Sequence, residues 1–342
     1  MKLLVVTQKI DRKDDNVGFF HRWVEEFARS ADYVTVIANS VGEFSFPANV
    51  SVHSLGKESG ARRISRWWKF IVLFSREYAR ADAVFFHMIP EFVVAASPFL
   101  VSLRRPSALW YVHKSVTPML KLAERLVDHV VTASELSFRL PSKKVVYTGH
   151  AIDTEFFRPR GPSRHGSGIN LLTVGRISPV KDIETILGAC VILKDTWNVP
   201  WSFAIVGGPV APRDIRYKDS LAAFVRSRGL ERFVHFAGPV PYVDTPDVYG
   251  EHDIFLSMST TGSIDKAVLE AMASGLTVIT ANEAFRDVLP GKYFLEMRSS
   301  EALAERIKSL ANENRPNIPL RTIVEEHHSV QKTIREIIRL LV

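Results

Sequence analysis

Between residues 154 and 168 the chain reads Thr-Glu-Phe-Phe-Arg-Pro-Arg-Gly-Pro-Ser-Arg-His-Gly-Ser-Gly and loses all hydrophobic periodicity. On either side of it the same alternation of strand-length apolar runs and helical stripes begins anew. Proline, glycine, serine and arginine without a period mark a linker. A chain of 342 residues is long for one core, so two domains are expected. The expected division is a first domain at 1–153, a linker at 154–168 and a second domain at 169–325. A closing helical segment at 326–342 is expected to pack back on the first domain.

In the first half Leu3–Thr7, Val34–Ala38, Val50–Leu55, Ala83–Phe86, Ala108–Val112, Val130–Thr132 and Val145–Tyr147 read as strands. Helical spacing runs through Gly18–Ser30, where Phe19, Phe20, Trp23, Val24 and Phe27 share a side, and through about 62–80 and 91–103. In the second half strands at Asn170–Val174, Ser202–Val206, Val234–Phe236, Ile254–Leu256 and Leu276–Thr280 alternate with five helices. Those helices are Asp182–Leu193, Ser220–Arg228, 265–275, Glu301–Leu310 and Ser329–Leu341. Short β-rich runs separated by helices predict doubly wound parallel sheets. The expected fold is therefore α/β, two facing Rossmann-like domains with a cleft between them.

Composition narrows the partners. A hydrophobic fraction of 46% and a charged fraction of 24% are those of an ordinary globular protein. The longest apolar run, Phe92–Leu103, holds a proline and falls short of the ~20 residues that span a bilayer. The apolar run at the N-terminus is too short for a signal peptide. A single cysteine, Cys190, leaves no intramolecular disulfide and fits a reducing cytosol. The net charge of +7 belongs to residues 1–150, with 21 Lys and Arg against 14 Asp and Glu; residues 151–342 hold 23 of each. Nucleic acid, an anionic membrane, an anionic substrate or plain surface solvation each account for such a bias.

Ligands of open α/β sheets bind beyond the carboxyl ends of the strands. His87, His113, Gly149 and His150 fall there in the first half, and Arg176, Gly207, Gly238 and Ser257 in the second. His113, ending a buried strand, reads either as a catalytic residue or as a satisfied structural one, and His87 and His150 are candidates for the acceptor or sugar side; Arg176 and Lys181 join His113 as catalytic candidates. Gly18, at a strand–helix turn, reads as a close backbone approach to phosphate or as an ordinary helix start. No Gly-x-Gly-x-x-Gly accompanies it, which speaks against a simple dinucleotide dehydrogenase. No Cys/His cluster and no Asp-x-Asp is present, so no metal is expected.

The stretch 260–275, Thr-Thr-Gly-Ser-Ile-Asp-Lys-Ala-Val-Leu-Glu-Ala-Met-Ala-Ser-Gly, predicts a loop and then a helix from about Asp265 to Gly275. Val268, Ala271, Met272 and Gly275 would form its buried stripe, with Lys266 and Glu270 on another side. These two read either as an exposed ion pair or as part of an anion site at the helix start. Arg176 and Lys181 share one loop, and with Lys266 they offer three cations to one diphosphate. A basic, aromatic run, Arg62, Arg63, Arg66, Trp67, Trp68 and Lys69, suits an anionic membrane surface or a core-packed helix with solvated charges. Nucleic-acid binding would use the same side chains and leave the strand-end residues without a role.

Taken in order, Val174-Gly175-Arg176 with Lys181-Asp182, Ile205-Val206-Gly207-Gly208-Pro209, Phe236-Ala237-Gly238 and Leu269-Glu-Ala-Met-Ala-Ser-Gly-Leu-Thr-Val-Ile279 resemble glycosyltransferase family 4. These are the retaining, nucleotide-sugar-dependent transferases of the GT-B fold. The likeness is densest over 170–290; Gly18, His113 and the Gly-His-Ala-Ile-Asp-Thr-Glu-Phe-Phe-Arg-Pro run at 149–159 match as well.

The resemblance implies that Arg176 and Lys181 neutralise the donor diphosphate and that amides around 263–266, including Ser263, Asp265 and Lys266, bind the same phosphates. Glu270 would accept from the ribose hydroxyls, backbone at Gly238–Val240 would contact the base, and Gly207 would line the donor site. Gly18 would approach the pyrophosphate, while His113 would help seat donor sugar and acceptor. Retention, no metal and no cofactor beyond the nucleoside-diphosphate sugar go with the family.

One departure stands out: the family's first glutamate, eight residues before Glu270, is Gly262 here. Asp265 reads either as a replacement carboxylate or as a helix cap.

The expected protein is cytoplasmic, peripheral at the inner face of the membrane, with a glycan or lipid-linked acceptor and no nucleic-acid partner. Two further readings share the fold: a non-catalytic sugar-nucleotide or glycan-binding protein, and a sugar-nucleotide epimerase.

Overall fold

The structure is a computed structural model that describes residues 1–160 and 168–342. It divides into two compact units, Met1–Ala151 with His328–Val342, and Ile152–His327. Each is built on its own parallel sheet.

The first unit contains β1 (Lys2–Ile10), α1 (Phe19–Ser30), β2 (Tyr33–Val41), β3 (Val50–Ser54), α2 (Arg63–Tyr78) and β4 (Ala83–His87). It continues with α3 (Pro90–Ala95), α4 (Ser97–Leu103), β5 (Ser107–Trp110), α5 (Pro118–Leu126), β6 (His129–Thr132) and β7 (Val145–Tyr147). The sheet order is β3-β2-β1-β4-β5-β6-β7. Alternation along each strand feeds two cores. Leu3 and Val5 pack with Phe20, Trp23, Val24 and Phe27 of α1. Leu4 and Val6 turn to the other face and pack with Phe70, Phe74 and Tyr78 of α2 and with α3 to α5. Burial on both faces is why the strands read as continuous apolar runs.

The second unit contains β8 (Ile169–Val174), α6 (Ile183–Thr196), β9 (Trp201–Val206), α7 (Pro212–Ser227), β10 (Val234–Gly238) and α8 (Thr245–Gly250). After these come β11 (Ile254–Ser257), α9 (Lys266–Ala273), β12 (Thr277–Thr280), α10 (Ser300–Leu310) and α11 (Ile318–His327). Its order, β10-β9-β8-β11-β12, reverses at β8. The loops after β8 and β11 therefore diverge at a topological switch point. The last helix, α12 (Val330–Leu341), returns to the first unit, where Val330, Ile334, Ile337 and Leu341 join the α1 core. Thr333 Oγ1 donates to the Thr148 carbonyl there at 2.7 Å.

Several local expectations differ from what is found; the helix read at Ser220–Arg228 runs over Pro212–Ser227, its start set by Pro212 in the first turn. The helix expected over 91–103 is two, because Pro98 in the first turn of α4 has no N–H to give a preceding turn and its ring crowds the carbonyl four residues back. The strand expected to reach Val112 stops at Trp110, which leaves His113 three residues out on an exposed loop. Of the stretch read as a linker, 161–167 lies outside the described residues, and 154–160 is anchored in the second unit. Phe157 is fully buried there against Tyr242 and Tyr249, and Arg321 holds the Thr154 and Phe157 carbonyls, each at 2.9 Å.

Candidate functional site: the strand-end rim of the second unit

Three adjacent strands, β8, β9 and β10, end in Gly175, Gly207 and Gly238. Their amides keep the strand ends stitched together: Gly175 donates to Val206 at 2.9 Å, Gly207 to Gly238 at 2.8 Å and Ile177 to Gly208 at 3.0 Å. Gly207 sits at φ +130°, and a Cβ there would lie 1.9 Å from the Gly175 carbonyl oxygen. Only glycine permits that approach. Val240, two residues beyond β10, is half-buried.

The two loops at the switch point are clamped to each other. After β8, Arg176 is exposed and has no hydrogen bond or ion pair among the described residues. Ile177 and Ser178 turn inward, and a short turn, Pro179–Lys181, leads to Asp182, whose carboxylate caps α6 through Thr185. After β11, the Thr260 amide donates to the Val180 carbonyl at 2.8 Å. Lys181 Nζ meets Asp265 Oδ2 at 2.5 Å. Asn282, wholly buried, donates to the Ser263 carbonyl at 2.9 Å and fixes the far side of the loop.

Asp265 pairs with Lys181 and, though it occupies the N-cap position of α9, does not cap the helix through its side chain. Gly262 lies at φ +64°, the left-handed region that a β-carbon disfavours.

Helix α9 is buried on every side from Val268 to Ala273. The stripe of Val268, Ala271 and Met272 is there, but Glu270, 6% exposed, is no surface residue. Its Oε2 accepts from the Tyr249 hydroxyl at 3.0 Å. Burial pushes the Glu270 carboxyl up to about 7, against the opposing pull of Lys266 and Tyr249. Burial likewise draws the Lys266 ammonium down to about 8, against the fields of Glu270 and Asp153. Asp153, also buried, is oriented by the Glu155 and Phe156 amides at 3.1 and 3.0 Å. The exposed Lys266–Glu270 pair is therefore ruled out, because both groups sit in a desolvated cluster.

Of the three cations considered together, only Arg176 is unengaged; Lys181 has Asp265, and Lys266 has the two carboxylates' fields. Tyr249, Asn282 and Asp153 were not singled out from the sequence, since their partners lie 21, 19 and more than a hundred residues away.

Candidates in the first unit are more scattered. His87 is 3% exposed, stacked on Phe20 at 4.0 Å and within 3.1 Å of Thr7 Oγ1, which fits a packed core histidine better than an acceptor contact. His150 is buried beside Trp110. His113 is exposed, its Nδ1 accepting from the Ser115 amide at 3.1 Å. Gly18 is buried and its φ of −55° is open to any residue, so what distinguishes it is the missing side chain.

The basic run on α2 splits. Arg66 turns in to Asn39 Oδ1 at 2.6 Å, and Trp67 packs edge-on to Phe92 at 5.2 Å. Trp68 stands 69% exposed, with Arg62 and Lys69 also exposed beside it.

Two doubly wound parallel units of seven and five strands make this a GT-B protein. HepE from Anabaena, solved with UDP and glucose, shares the fold at a TM-score of 0.75 and 17% identity, over 100% of this chain and 99% of that one. Sucrose-phosphate synthase from Thermosynechococcus elongatus does so at a TM-score of 0.77 and 13% identity, over 99% and 98%. Residues 168–313 match the family model described as Glycosyl transferases group 1, in agreement with the resemblance in the motifs of the second unit.

Among curated proteins, D-inositol 3-phosphate glycosyltransferase of Kineococcus radiotolerans is 32% identical over 152 residues, 40% of this chain and 34% of that protein. Mannosylfructose-phosphate synthase of Agrobacterium fabrum is 30% identical over 128 residues, 36% and 28% respectively. The chain spans well under half the length of these relatives.

Proposed function

We propose that the protein transfers a sugar from a nucleoside-diphosphate sugar to a glycan or lipid-linked acceptor, with retention at the anomeric carbon and no metal. One observation carries the reading: Lys181 is joined to Asp265 at the start of α9, at the switch point of the unit that matches the group 1 glycosyltransferases, and Arg176 lies exposed on the same loop as Lys181. There a diphosphate would find an unengaged guanidinium, an ammonium able to exchange its partner, and N–H groups that no helical carbonyl can reach. Negative charge grows on the leaving diphosphate as the glycosidic bond breaks, so cations fixed at that point lower the barrier.

Glu270, oriented by Tyr249, accepts from the ribose hydroxyls in this reading, and backbone at Gly238–Val240 contacts the base. His113 and Gly18 keep the roles the family resemblance assigns, on donor sugar and pyrophosphate. The relatives' names support a sugar transfer, and HepE was solved with UDP.

The membrane-facing part is the outer face of α2. Ile64, Trp68 and Val72, spaced four apart, are 75%, 69% and 61% exposed, with Arg62 and Lys69 alongside. Among the described residues no helix is long and apolar enough to cross a membrane, so the proposed contact is peripheral, at a cytoplasmic surface.

Gly262 and the engaged Asp265 leave the sugar end without the family's glutamate, which favours a second reading, a sugar-nucleotide-binding protein without turnover. Calorimetric titration with nucleoside diphosphates and their sugars, followed by an assay for diphosphate release across an acceptor panel, tests both. No binding of any nucleoside diphosphate sinks the first reading; binding with no release under any acceptor selects the second.

A further inference from the structure

The face of the first sheet that α2 covers changes character along its length. Leu4 of β1 and Ile37 of β2 belong to the core packed on Phe70, Phe74 and Tyr78. Residues two apart on a strand share a face, so Lys2, Tyr33 and Thr35 lie on this same face, nearer the strand starts. Ser51 and His53 of β3 lie there too, because they pair with Thr35 and Ile37. A face of a parallel sheet that is covered by helices is ordinarily apolar, and this end of it is polar instead. With the last turn of α2 it forms a groove of about 770 Å³, within the ~300–1,000 Å³ range of ligand sites.

The charges in the groove are only partly spent. Glu77 holds Arg76 Nε at 2.6 Å and lies 3.9 Å from His53 Nε2, and Asp32 is paired with the Met1 amino group. The Lys2 ammonium and the Arg80 guanidinium, both exposed, make no hydrogen bond or ion pair among the described residues. Two free cations therefore face the groove with no free carboxylate to match them. Beside them the Thr35 and Ser51 hydroxyls lie 3.5 Å apart, and the Tyr33 ring is 39% exposed.

Size and charge together select the ligand. A lone phosphate would fill a small part of this volume. The groove also faces the carboxyl end of α2, whose partial negative charge works against a dianion. Separate single cations, an aromatic ring and a pair of hydroxyls suit a short run of sugar rings carrying isolated carboxylates. Thr35, Ser51 and His53 supply donors and acceptors for the sugar hydroxyls, and Tyr33 supplies an apolar face with a polar tip.

We propose that this groove binds an acidic oligosaccharide, with Lys2 and Arg80 on its carboxylates and Tyr33 against a sugar ring. Strand β1 is nine residues long, which puts about 26 Å, at ~3.3 Å per residue, between the groove and the carboxyl ends of the strands. The groove is thus a place to hold glycan and is separate from the place of transfer. That use rests on the transferase reading; the binding itself does not.

The test is calorimetry on the full chain with trigalacturonate, maltotriose and inorganic phosphate, and with nucleoside diphosphates in separate titrations. Trigalacturonate is expected to bind at least about tenfold tighter than maltotriose and to weaken as salt rises. Arg80→Gln and Tyr33→Ala should each cost at least about tenfold while nucleoside-diphosphate affinity stays within about twofold. Both side chains are exposed, so both variants fold. Absence of trigalacturonate binding, equal binding of maltotriose, displacement by an equal concentration of phosphate, or indifference to either variant overturns the site. Trigalacturonate binding without binding of any nucleoside diphosphate supports the site and sinks the transferase reading instead.

Discussion

Lys181 Nζ and Asp265 Oδ2, 84 residues apart in the chain, lie 2.5 Å from each other across the switch point of the second sheet. The contact joins the loop after β8 to the start of α9, and the Thr260–Val180 hydrogen bond runs beside it. In the transferase reading it is an internal anion holding the place of a phosphate, so the ammonium is in position before the donor arrives.

Replacing Asp265 by Asn removes that competitor. UDP, or whichever nucleoside diphosphate binds, is expected to bind about threefold tighter or better, some 0.7 kcal/mol, read by calorimetry at fixed salt. Weaker binding would mean that Asp265 serves the ligand and does not compete with it.

Arg176→Ala and Lys181→Ala are each expected to lower turnover by at least about tenfold, about 1.4 kcal/mol in the barrier. Steady-state kinetics of diphosphate release decide it. Arg176 has no partner among the described residues, so thermal stability of its variant should be unchanged. Full activity of both variants removes the diphosphate assignment.

The Glu270 carboxyl has a folded pKa of about 7 against an ordinary value of 4.5. The folded state therefore holds this proton more tightly than the unfolded one. The contribution is fully present below about pH 4.5 and is lost as pH rises through about 7. Lys266 runs the other way: its folded pKa of about 8 lies below 10.5, so burial of the neutral amine adds stability as pH rises between those values. Glu270→Gln should flatten the decline between pH 5 and 7 in a set of urea melts. It should also weaken nucleotide binding severalfold at pH 8. An unaltered stability profile refutes the desolvated carboxylate.

Gly262→Glu restores the residue the family carries but forces it to φ +64°. A cost of about 1–2 kcal/mol follows from the left-handed backbone, with no gain in turnover. A stable, faster variant would show that the loop readily adopts another conformation.

Trp68→Ala and Ile64→Ser change exposed positions and should leave the melting temperature in place while abolishing flotation with anionic vesicles. Trp67→Ala, packed on Phe92, should instead lower the melting temperature. Equal flotation of wild type with neutral and anionic vesicles, unchanged when Arg62 and Lys69 are replaced, excludes electrostatic docking.

Much of this protein is legible in the chain alone, for local reasons. Runs such as Leu3–Val6 and Leu171–Leu172 have to be strands covered on both faces, and the amphipathic period of α1 by itself places Phe20, Trp23 and Phe27 inside. The glycines and cations after β8, β9 and β10 follow from the strand ends themselves.

Tertiary structure decides what those residues face. Periodicity gives one buried stripe per helix, whereas α9 is enclosed all round from Val268 to Ala273, so Glu270 is buried with the half-buried Lys266 beside it and the two are no exposed pair. A side chain's charge is written in the sequence; its partner is not, and only the fold sets Lys181 beside Asp265. His87, Phe157 and Arg66 carry the same lesson. Each has a composition or position that suggests a role, and each owes its actual role to neighbours that the chain brings in from far away, because burial and pairing are properties of the packed fold.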